Sequence, residues 1–271
     1  MVDLLDVVVP GGRVGVALTG AADGPLVLAL PGLSDGVVPL HAPGAEQRVP
    51  GPPPALDGLR FALLSYRDPL AAGTTTAMLA DDVPAVLDAL RAERAHVLGH
   101  STGGMVATHL AARHPGRVAS VCASATPLVA GPVLRGWLDR WDALVRAGDL
   151  VGQLADATRA SLPEDDRDDR LALLAAAPPT PVHDAVARHL ALSAAVAGHD
   201  ASRAAREVRA PTLVVVGARD RVCPPAGARA LADAVPDAGF ETWPDVGHGL
   251  PDVAYPRLAA SVRALVELVE G

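Results

Sequence analysis

Ser101 has a glycine two positions away on each side, in the segment Gly99-His100-Ser101-Thr102-Gly103. Glycines at these positions let a strand turn sharply into a helix, which presents the serine hydroxyl in a strained backbone conformation. The turn also places Ser101 at a helix N-terminus, where free N–H groups favour developing negative charge. This spacing predicts a nucleophile, and a serine nucleophile needs a base and an acid from elsewhere in the chain.

Two further residues have the types that activate a serine, and each follows an apolar run that predicts a strand. Asp220 comes shortly after the run 212–216, and His248 comes shortly after the run 240–243. Ligands bind at the carboxyl ends of strands in open parallel sheets, so we expect the three side chains at one edge. The sequence predicts Ser101 as nucleophile, His248 as base and Asp220 as the acid that orients the imidazole.

Each of these assignments has a structural alternative. Ser101 could be a helix N-cap, Asp220 a turn residue and His248 an inert loop histidine, but the presence of all three favours the catalytic interpretation. Asp245 is close to His248 in the chain, and we interpret it as a turn-former. Neither Asp nor Glu directly follows the predicted strand that ends at Ala123, which leaves Asp220 without an obvious rival.

The elements that must position these residues alternate along most of the chain. Apolar runs predict strands at 4–9, 13–18, 26–30, 61–65, 96–98, 118–123, 212–216 and 240–243. Helical spacing of apolar residues predicts helices after Ser101 and at about 74–91, 226–235 and 255–269. Strands that alternate with helices predict a mostly parallel sheet covered on both faces.

Two segments interrupt this alternation. Residues 34–57 are rich in proline and glycine, which predicts a long loop with at most a short helix. Residues 131–206 contain only helical patterns, with breaks at Gly148, Pro163 and Pro178-Pro179. We interpret this all-helical part as a cap over the strand ends. The predicted domains are a core (1–127 and 207–271) and a helical cap or lid (128–206).

Four motifs make the chain resemble the α/β-hydrolase superfamily over essentially its whole length. They are Leu-Pro-Gly-Leu at 30–33, Gly-His-Ser-Thr-Gly at 99–103, Gly-Ala-Arg-Asp at 217–220 and Gly-His-Gly at 247–249. The chain is most similar to the capped branch with enol-lactone hydrolases, C–C hydrolases and cofactor-free haloperoxidase-like esterases. The resemblance implies an eight-stranded, mostly parallel sheet with helices on both faces and a helical cap after the sixth strand.

The resemblance also implies an oxyanion hole formed by two backbone N–H groups, those of Leu33 and Thr102. The chain departs from the family at two places. Pro31 replaces a common histidine, which leaves the backbone donor of Leu33 intact. Residues 65–69, Ser-Tyr-Arg-Asp-Pro, replace the usual Asp-x-Arg-Gly-x-Gly stretch, so the pocket walls and the substrate are not implied by the family.

Four residues are candidates for the substrate pocket. His100 precedes the nucleophile and is either a pocket wall or a structural histidine. Trp137 and Trp141 are four residues apart on one predicted helix face, where they form the core of the cap or face the substrate. Cys223 follows Asp220 by three residues and is either a buried small hydrophobe or a pocket residue.

Other polar residues are interpreted as structural. His183, His189 and His199 are predicted at the surface of the cap, and the charged segment 164–170 is predicted to be solvated. Cys122 lies in an apolar run and is predicted to be core. Neither a C-x-x-C motif nor a dense His/Cys cluster occurs, so we predict no disulfide framework and no metal site, and the serine mechanism needs no cofactor.

The charge and composition of the chain limit the classes of molecule that it is expected to bind. The formal charge of −8 argues against nucleic acid and anionic membranes as partners. The first residues lack the basic region of a signal peptide, and no 18-residue uncharged apolar run is present, so we expect a cytoplasmic protein. We expect a small-molecule substrate, and the sequence leaves a homodimer open.

Together these features predict a serine hydrolase that cleaves a small, largely apolar carboxylic ester or lactone through an acyl-enzyme on Ser101. The low aromatic content of 3% and the Ala/Leu-rich cap favour such a substrate. Three alternatives stay open on the same scaffold: C–C bond hydrolysis, a non-hydrolytic lyase or cyclase, and a ligand-binding receptor with vestigial turnover.

Overall fold

Eight strands form one twisted sheet in the computed structural model, which describes residues 2–42, 49, 51 and 54–271. The strands are β1 (Asp3–Val9), β2 (Gly12–Gly20), β3 (Leu26–Leu30), β4 (Arg60–Asp68), β5 (Ala95–His100), β6 (Val118–Ser124), β7 (Thr212–Gly217) and β8 (Gly239–Trp243). Their order across the sheet is β1-β2-β4-β3-β5-β6-β7-β8. Only β2 runs opposite to the other strands, because it pairs antiparallel with both β1 and β4.

Helices cover both faces of this sheet. They are α1 (Thr76–Ala80), α2 (Val83–Ala89), α3 (Thr102–Arg113), α8 (Pro225–Ala234), α9 (Leu250–Val253) and α10 (Tyr255–Glu270). The central strands are buried on both sides, so neighbouring side chains enter different clusters. Leu28 lies in one cluster with Leu110 of α3 and Leu231 of α8, whereas Val27 lies in another with Val262 of α10. The predicted fold class is confirmed.

Four helices lie between β6 and β7, and we call them the helical insert. They are α4 (Pro132–Arg146), α5 (Leu150–Ser161), α6 (Glu164–Ala176) and α7 (Ala185–Ala197). The breaks predicted at Gly148, Pro163 and Pro178-Pro179 all fall between these helices. The insert therefore follows the sixth strand as expected, while its status as a separate cap domain stays a prediction.

The helix predicted over about 74–91 is two helices, α1 and α2. Its start is as expected, because the Thr75 side chain accepts a hydrogen bond from the Met78 N–H at 3.1 Å. The break falls at Asp81 and Asp82, before Pro84 in the first turn of α2. Proline has no N–H to give to the preceding turn, which explains why one continuous helix does not form.

The long loop before β4 is described only in part. A 3₁₀ turn, Leu33–Gly36, begins it, and a second one, Pro54–Leu56, ends it. Residues 43–48, 50, 52 and 53 of the predicted loop lie outside the described residues. Among the described helices, none is long and apolar enough to span a membrane.

Candidate active site

The turn from β5 to α3 holds Ser101 in an unusual backbone conformation, with φ 52° and ψ −113°. The glycines on either side are required by close packing. A Cβ on Gly99 would lie 2.5 Å from the carbonyl oxygen of Gly103, and a Cβ on Gly103 would overlap the carbonyl oxygen of Leu30. The obstacles are backbone atoms, which cannot swing away. The sharp turn predicted from the glycine spacing is therefore the turn that the chain makes.

Asp220 and His248 meet Ser101 at the carboxyl ends of the strands. The Nε2 atom of His248 is 3.0 Å from Ser101 Oγ, and its Nδ1 atom is 2.8 Å from Asp220 Oδ2. The three residues are 8%, 7% and 4% exposed for Ser101, His248 and Asp220. The imidazole thus bridges a hydroxyl and a carboxylate in a nearly closed environment, the arrangement in which a histidine can take a proton from a serine.

Backbone N–H groups fix the Asp220 carboxylate. Its second oxygen, Oδ1, accepts hydrogen bonds from the N–H of Val222 at 2.9 Å and of Cys223 at 2.7 Å. One carboxylate oxygen is thus bound by the turn, and the other faces His248. Asp245, the neighbouring acid in the sequence, lies exposed in the turn after β8.

The two expected oxyanion donors belong to residues close to Ser101. Thr102 begins α3, and Leu33 begins the 3₁₀ turn after β3. A Cβ on Gly32 would lie 3.7 Å from the Cβ of Ser101 and 3.6 Å from Cδ2 of His100, so the Gly32 backbone faces the nucleophile. The oxyanion role of the Leu33 and Thr102 N–H groups stays a prediction.

The sequence profile of the alpha/beta hydrolase fold matches residues 50–254, about three quarters of the chain. The matched range includes Ser101, Asp220 and His248. The chain belongs to the α/β-hydrolase family. RutD of Caulobacter sp. (strain K31), whose name describes a carbamate hydrolase, is 28% identical in an alignment of 195 positions that covers 69% of this chain and 71% of that protein. The monoacylglycerol lipase of Mycolicibacterium smegmatis is 29% identical over 56% of this chain and 54% of the lipase.

A solved structure with the same fold is the enol-lactonase of Burkholderia xenovorans LB400. It superposes with a TM-score of 0.80 at 23% identity and covers 97% of this chain and 100% of the enol-lactonase. The family match and the hydrolase names of the relatives support a hydrolase. The predicted superfamily is thus confirmed, whereas the bond that this α/β hydrolase cleaves is a separate question.

His100 and Cys223 both lie against the triad. His100 Nδ1 is 3.0 Å from Ser124 Oγ, and its ring centroid is 5.2 Å from that of His248. Burial holds the pKa of His100 well below its usual range, so this ring is neutral at pH 7. Burial, and then the charge of Asp220, raise the pKa of Cys223 well above its usual value, while a hydrogen bond with the Ser101 side chain acts in the opposite direction. Cys223 is therefore a buried thiol beside the nucleophile.

The two tryptophans of α4 join the helical insert to the loop that carries Asp220. Their rings stack at a centroid distance of 5.7 Å. Trp141 is buried in a cluster with Met105 and Cys223, and Trp137 packs on the same cluster. The Trp137 Nε1–H donates to the carbonyl oxygen of Arg221 at 2.8 Å. The pair thus forms the core of the insert, and contact with a substrate stays a prediction.

Two of the three histidines predicted at the surface are buried, so that prediction is wrong for His189 and His199. His189 lies with its Nε2 3.3 Å from an Asp142 oxygen. His199 Nδ1 lies 3.0 Å from Thr76 Oγ1, and burial together with His109 lowers the pKa of His199 to about 3. His189 faces inward because α7 packs against both α4 and the Leu33–Gly36 turn. His199, two residues past the end of α7, is buried against Thr76 of α1 and His109 of α3, while His183 is exposed as expected.

Among the buried charges that sequence reasoning missed is Arg188 on α7. A signal was present, because Arg188 stands four and eight residues before Leu192 and Val196, on the apolar face of the helix. An arginine in such a position is unusual and requires partners. The segment 164–170 is largely exposed, as predicted, and no group of three or more His, Cys, Asp or Glu in the described part of the chain could hold a metal ion.

Proposed function

We propose that this α/β hydrolase is a serine hydrolase that cleaves a small, largely apolar carboxylic ester or lactone through an acyl-enzyme on Ser101. One observation carries the proposal. The imidazole of His248 lies within hydrogen-bond distance of both Ser101 Oγ and Asp220 Oδ2, at 3.0 and 2.8 Å. That arrangement has the geometry needed for serine activation.

In the first step Ser101 Oγ attacks the substrate carbonyl carbon and His248 Nε2 takes the hydroxyl proton. Asp220 accepts the Nδ1–H of His248, so that Nε2 has a free lone pair before the attack and the imidazolium is stabilised after it. The N–H groups of Leu33 and Thr102 hold the negative oxygen of the tetrahedral intermediate. When the intermediate collapses, His248 gives its proton to the leaving oxygen and an acyl-enzyme remains.

In the second step water replaces the leaving group. His248 takes a proton from the water, the hydroxide attacks the acyl carbon, and Ser101 leaves with the proton returned by His248. The products are a carboxylic acid and an alcohol, or a hydroxy acid when the substrate is a lactone.

The surroundings of the triad favour an apolar substrate of small size. Met105, Trp141 and Cys223 belong to one apolar cluster between the insert and the core, and the Leu33 side chain packs against it. Ser101 is only 8% exposed, so a large substrate would need the insert to move. The named activities of the lipase, the enol-lactonase and the carbamate hydrolase all concern a carbonyl carbon bonded to oxygen or nitrogen, which is consistent with acyl transfer.

The test is covalent labelling combined with a substrate panel. A fluorophosphonate probe should label the wild type and fail to label Ser101→Ala. Chromogenic esters of increasing acyl length should give a burst of the released chromophore, and short apolar acyl groups should be preferred. Lactones are tested in the same panel, and carbamates and a diketone are included for comparison. Labelling without turnover of any ester or lactone would reject the proposed substrate class, and equal labelling of Ser101→Ala would reject the nucleophile.

A further inference from the structure

Arg188 is a completely buried cation that joins the helical insert to the core. Its side chain is 0% exposed. It donates to Asp35 Oδ2 at 2.8 Å, to the Asp35 carbonyl at 3.2 Å and to the Tyr66 carbonyl at 2.9 Å. It also donates to the Arg67 carbonyl at 2.7 Å and to Asp68 Oδ1 at 3.1 Å. A planar guanidinium with five N–H groups can serve this many acceptors, and an ammonium cannot.

Asp35, the main partner of Arg188, is held from several directions. Its Oδ1 accepts a hydrogen bond from the Ser65 hydroxyl, and its Oδ2 accepts one from the Tyr66 N–H at 3.0 Å. Asp35 is buried within the Leu33–Gly36 turn. A buried carboxylate with this many donors is fixed in one position, and it fixes the turn that carries it.

A hydrogen bond also holds the chain just before this turn, at Pro31. The Tyr66 hydroxyl donates to the carbonyl oxygen of Pro31 at 2.8 Å. Leu33, the expected oxyanion donor, stands midway between Pro31 and Asp35. The α7 backbone lies directly against this turn, because a Cβ on Gly36 would lie 2.9 Å from the Cα of His189. The turn is thus clamped by β4 on one side and by α7 on the other.

We propose that Arg188 is a positioning residue that sets the Leu33 N–H toward Ser101 only while α7 is docked on the Leu33–Gly36 turn. This inference rests on the proposed function, since it assumes an oxyanion at Leu33. Through Arg188, closure of the helical insert and completion of the oxyanion hole become one event. When α7 undocks, the Leu33–Gly36 turn loses the two hydrogen bonds that Arg188 donates to Asp35, one to the carboxylate and one to the carbonyl oxygen.

A second ion pair between the insert and the core provides a matched control. Arg170 of α6 donates to Asp252 Oδ1 at 2.9 Å, with side chains 55% and 36% exposed. This pair also joins a helix of the insert to the core, but both side chains are partly exposed, and neither residue has a hydrogen bond or ion pair with the Leu33–Gly36 turn. Exposed pairs of this kind contribute little. Arg170→Met therefore removes an insert–core ion pair without touching the clamp.

The experiment compares Arg188→Lys, Arg188→Met and Arg170→Met with the wild type. Hydrogen–deuterium exchange is followed in the peptide that spans residues 31–36, and kcat and KM are measured with a chromogenic ester, at a temperature where thermal melts show each variant folded. We expect faster exchange in both Arg188 variants. Their kcat should be lower by about 10- to 100-fold, because a misplaced oxyanion donor should cost no more than the smallest loss seen when such a donor is removed, about 100-fold. KM should change little, because the loss is specific to the transition state.

Arg170→Met should match the wild type in exchange of the 31–36 peptide. It controls for exchange and not for kcat, because the charge of its partner Asp252 also acts on His248. If Arg188→Met does not fold, Arg188→Lys, which keeps the charge, carries the comparison. Faster exchange with unchanged kcat would overturn the positioning role, because it would show that Arg188 serves only structure. Unchanged exchange in Arg188→Lys would overturn the clamp itself. If the wild type hydrolyses no ester, the proposed function fails, and the exchange comparison between Arg188→Lys and Arg170→Met still decides the clamp.

Discussion

The nucleophile turn and the helical insert are held together by different kinds of contact. At Gly99 and Gly103 the backbone touches other backbone, and any Cβ would meet a carbonyl oxygen. The insert is held by side chains: α4 buries one face, and α6 buries none of its residues. Backbone contacts tolerate one residue type, whereas side-chain contacts can be met by many combinations. The turn is thus restricted to one local sequence, whereas the insert can be built from many.

The largest expected effect is on catalysis, at the acid. Asp220→Asn should keep the fold, because Oδ1 can still accept from the N–H groups of Val222 and Cys223. Its kcat should fall by about 10⁴, since an amide facing Nδ1 favours the wrong tautomer of His248. Asp245→Asn, in an exposed turn, is the control and should keep full kcat. Similar kcat values in the two variants would place the acid elsewhere.

A smaller but still large effect is expected on stability, at the nucleophile turn. Gly103→Ala should lower the free energy of unfolding by about 3–5 kcal/mol, because the new methyl group would overlap the Leu30 carbonyl. Gly136 lies on α4 with nothing near its Cβ position. Gly136→Ala should therefore raise stability by about 0.5–1 kcal/mol through helix propensity. Urea unfolding measures both, and equal effects of the two substitutions would refute the contrast between turn and insert.

The junction of the insert with the core should respond to acid through His199. Its folded-state pKa is about 3, below the unfolded value near 6.5, so only the unfolded chain binds the proton between these values. Stability should fall as pH drops through this window, by about 2 kcal/mol from His199 alone between pH 7 and pH 5. His199→Gln should flatten the pH dependence by this amount, and His183→Gln should not. Parallel curves for wild type and His199→Gln would contradict the assignment.

The smallest expected effect is a change of selectivity from the insert. Trp137→Ala removes the ring that stacks on Trp141 and donates to Arg221. We expect the preferred acyl length to shift, by about tenfold in the ratio of kcat/KM values, because an apolar wall discriminates by size. Labelling of Ser101 by the fluorophosphonate probe should persist. An unchanged preference would place the specificity pocket away from α4.

The difference between the two regions also explains what the sequence could predict. The elbow glycines and the strands ahead of Asp220 and His248 are local patterns, and they led to the fold and to the grouping of three side chains. The buried Arg188 could not be placed, because its partner Asp35 is 153 residues away in the chain. The inward position of His189 depends on the packing of α7, and that of His199 on its contacts with α1 and α3, which composition does not specify.

The central claim is that acyl transfer passes through Ser101, and the most direct test is the mass of the enzyme during turnover. Wild-type protein is mixed rapidly with a p-nitrophenyl ester of a short acyl chain, quenched in acid and digested. We predict that the peptide that contains Ser101 gains the mass of the acyl group, and that Ser101→Ala shows no adduct. The turnover of Ser101→Ala should fall by several orders of magnitude, to a residual rate about 10³–10⁴ times that of the uncatalysed reaction in water. An acyl group on Cys223 instead, or near wild-type turnover by a folded Ser101→Ala, would contradict the account.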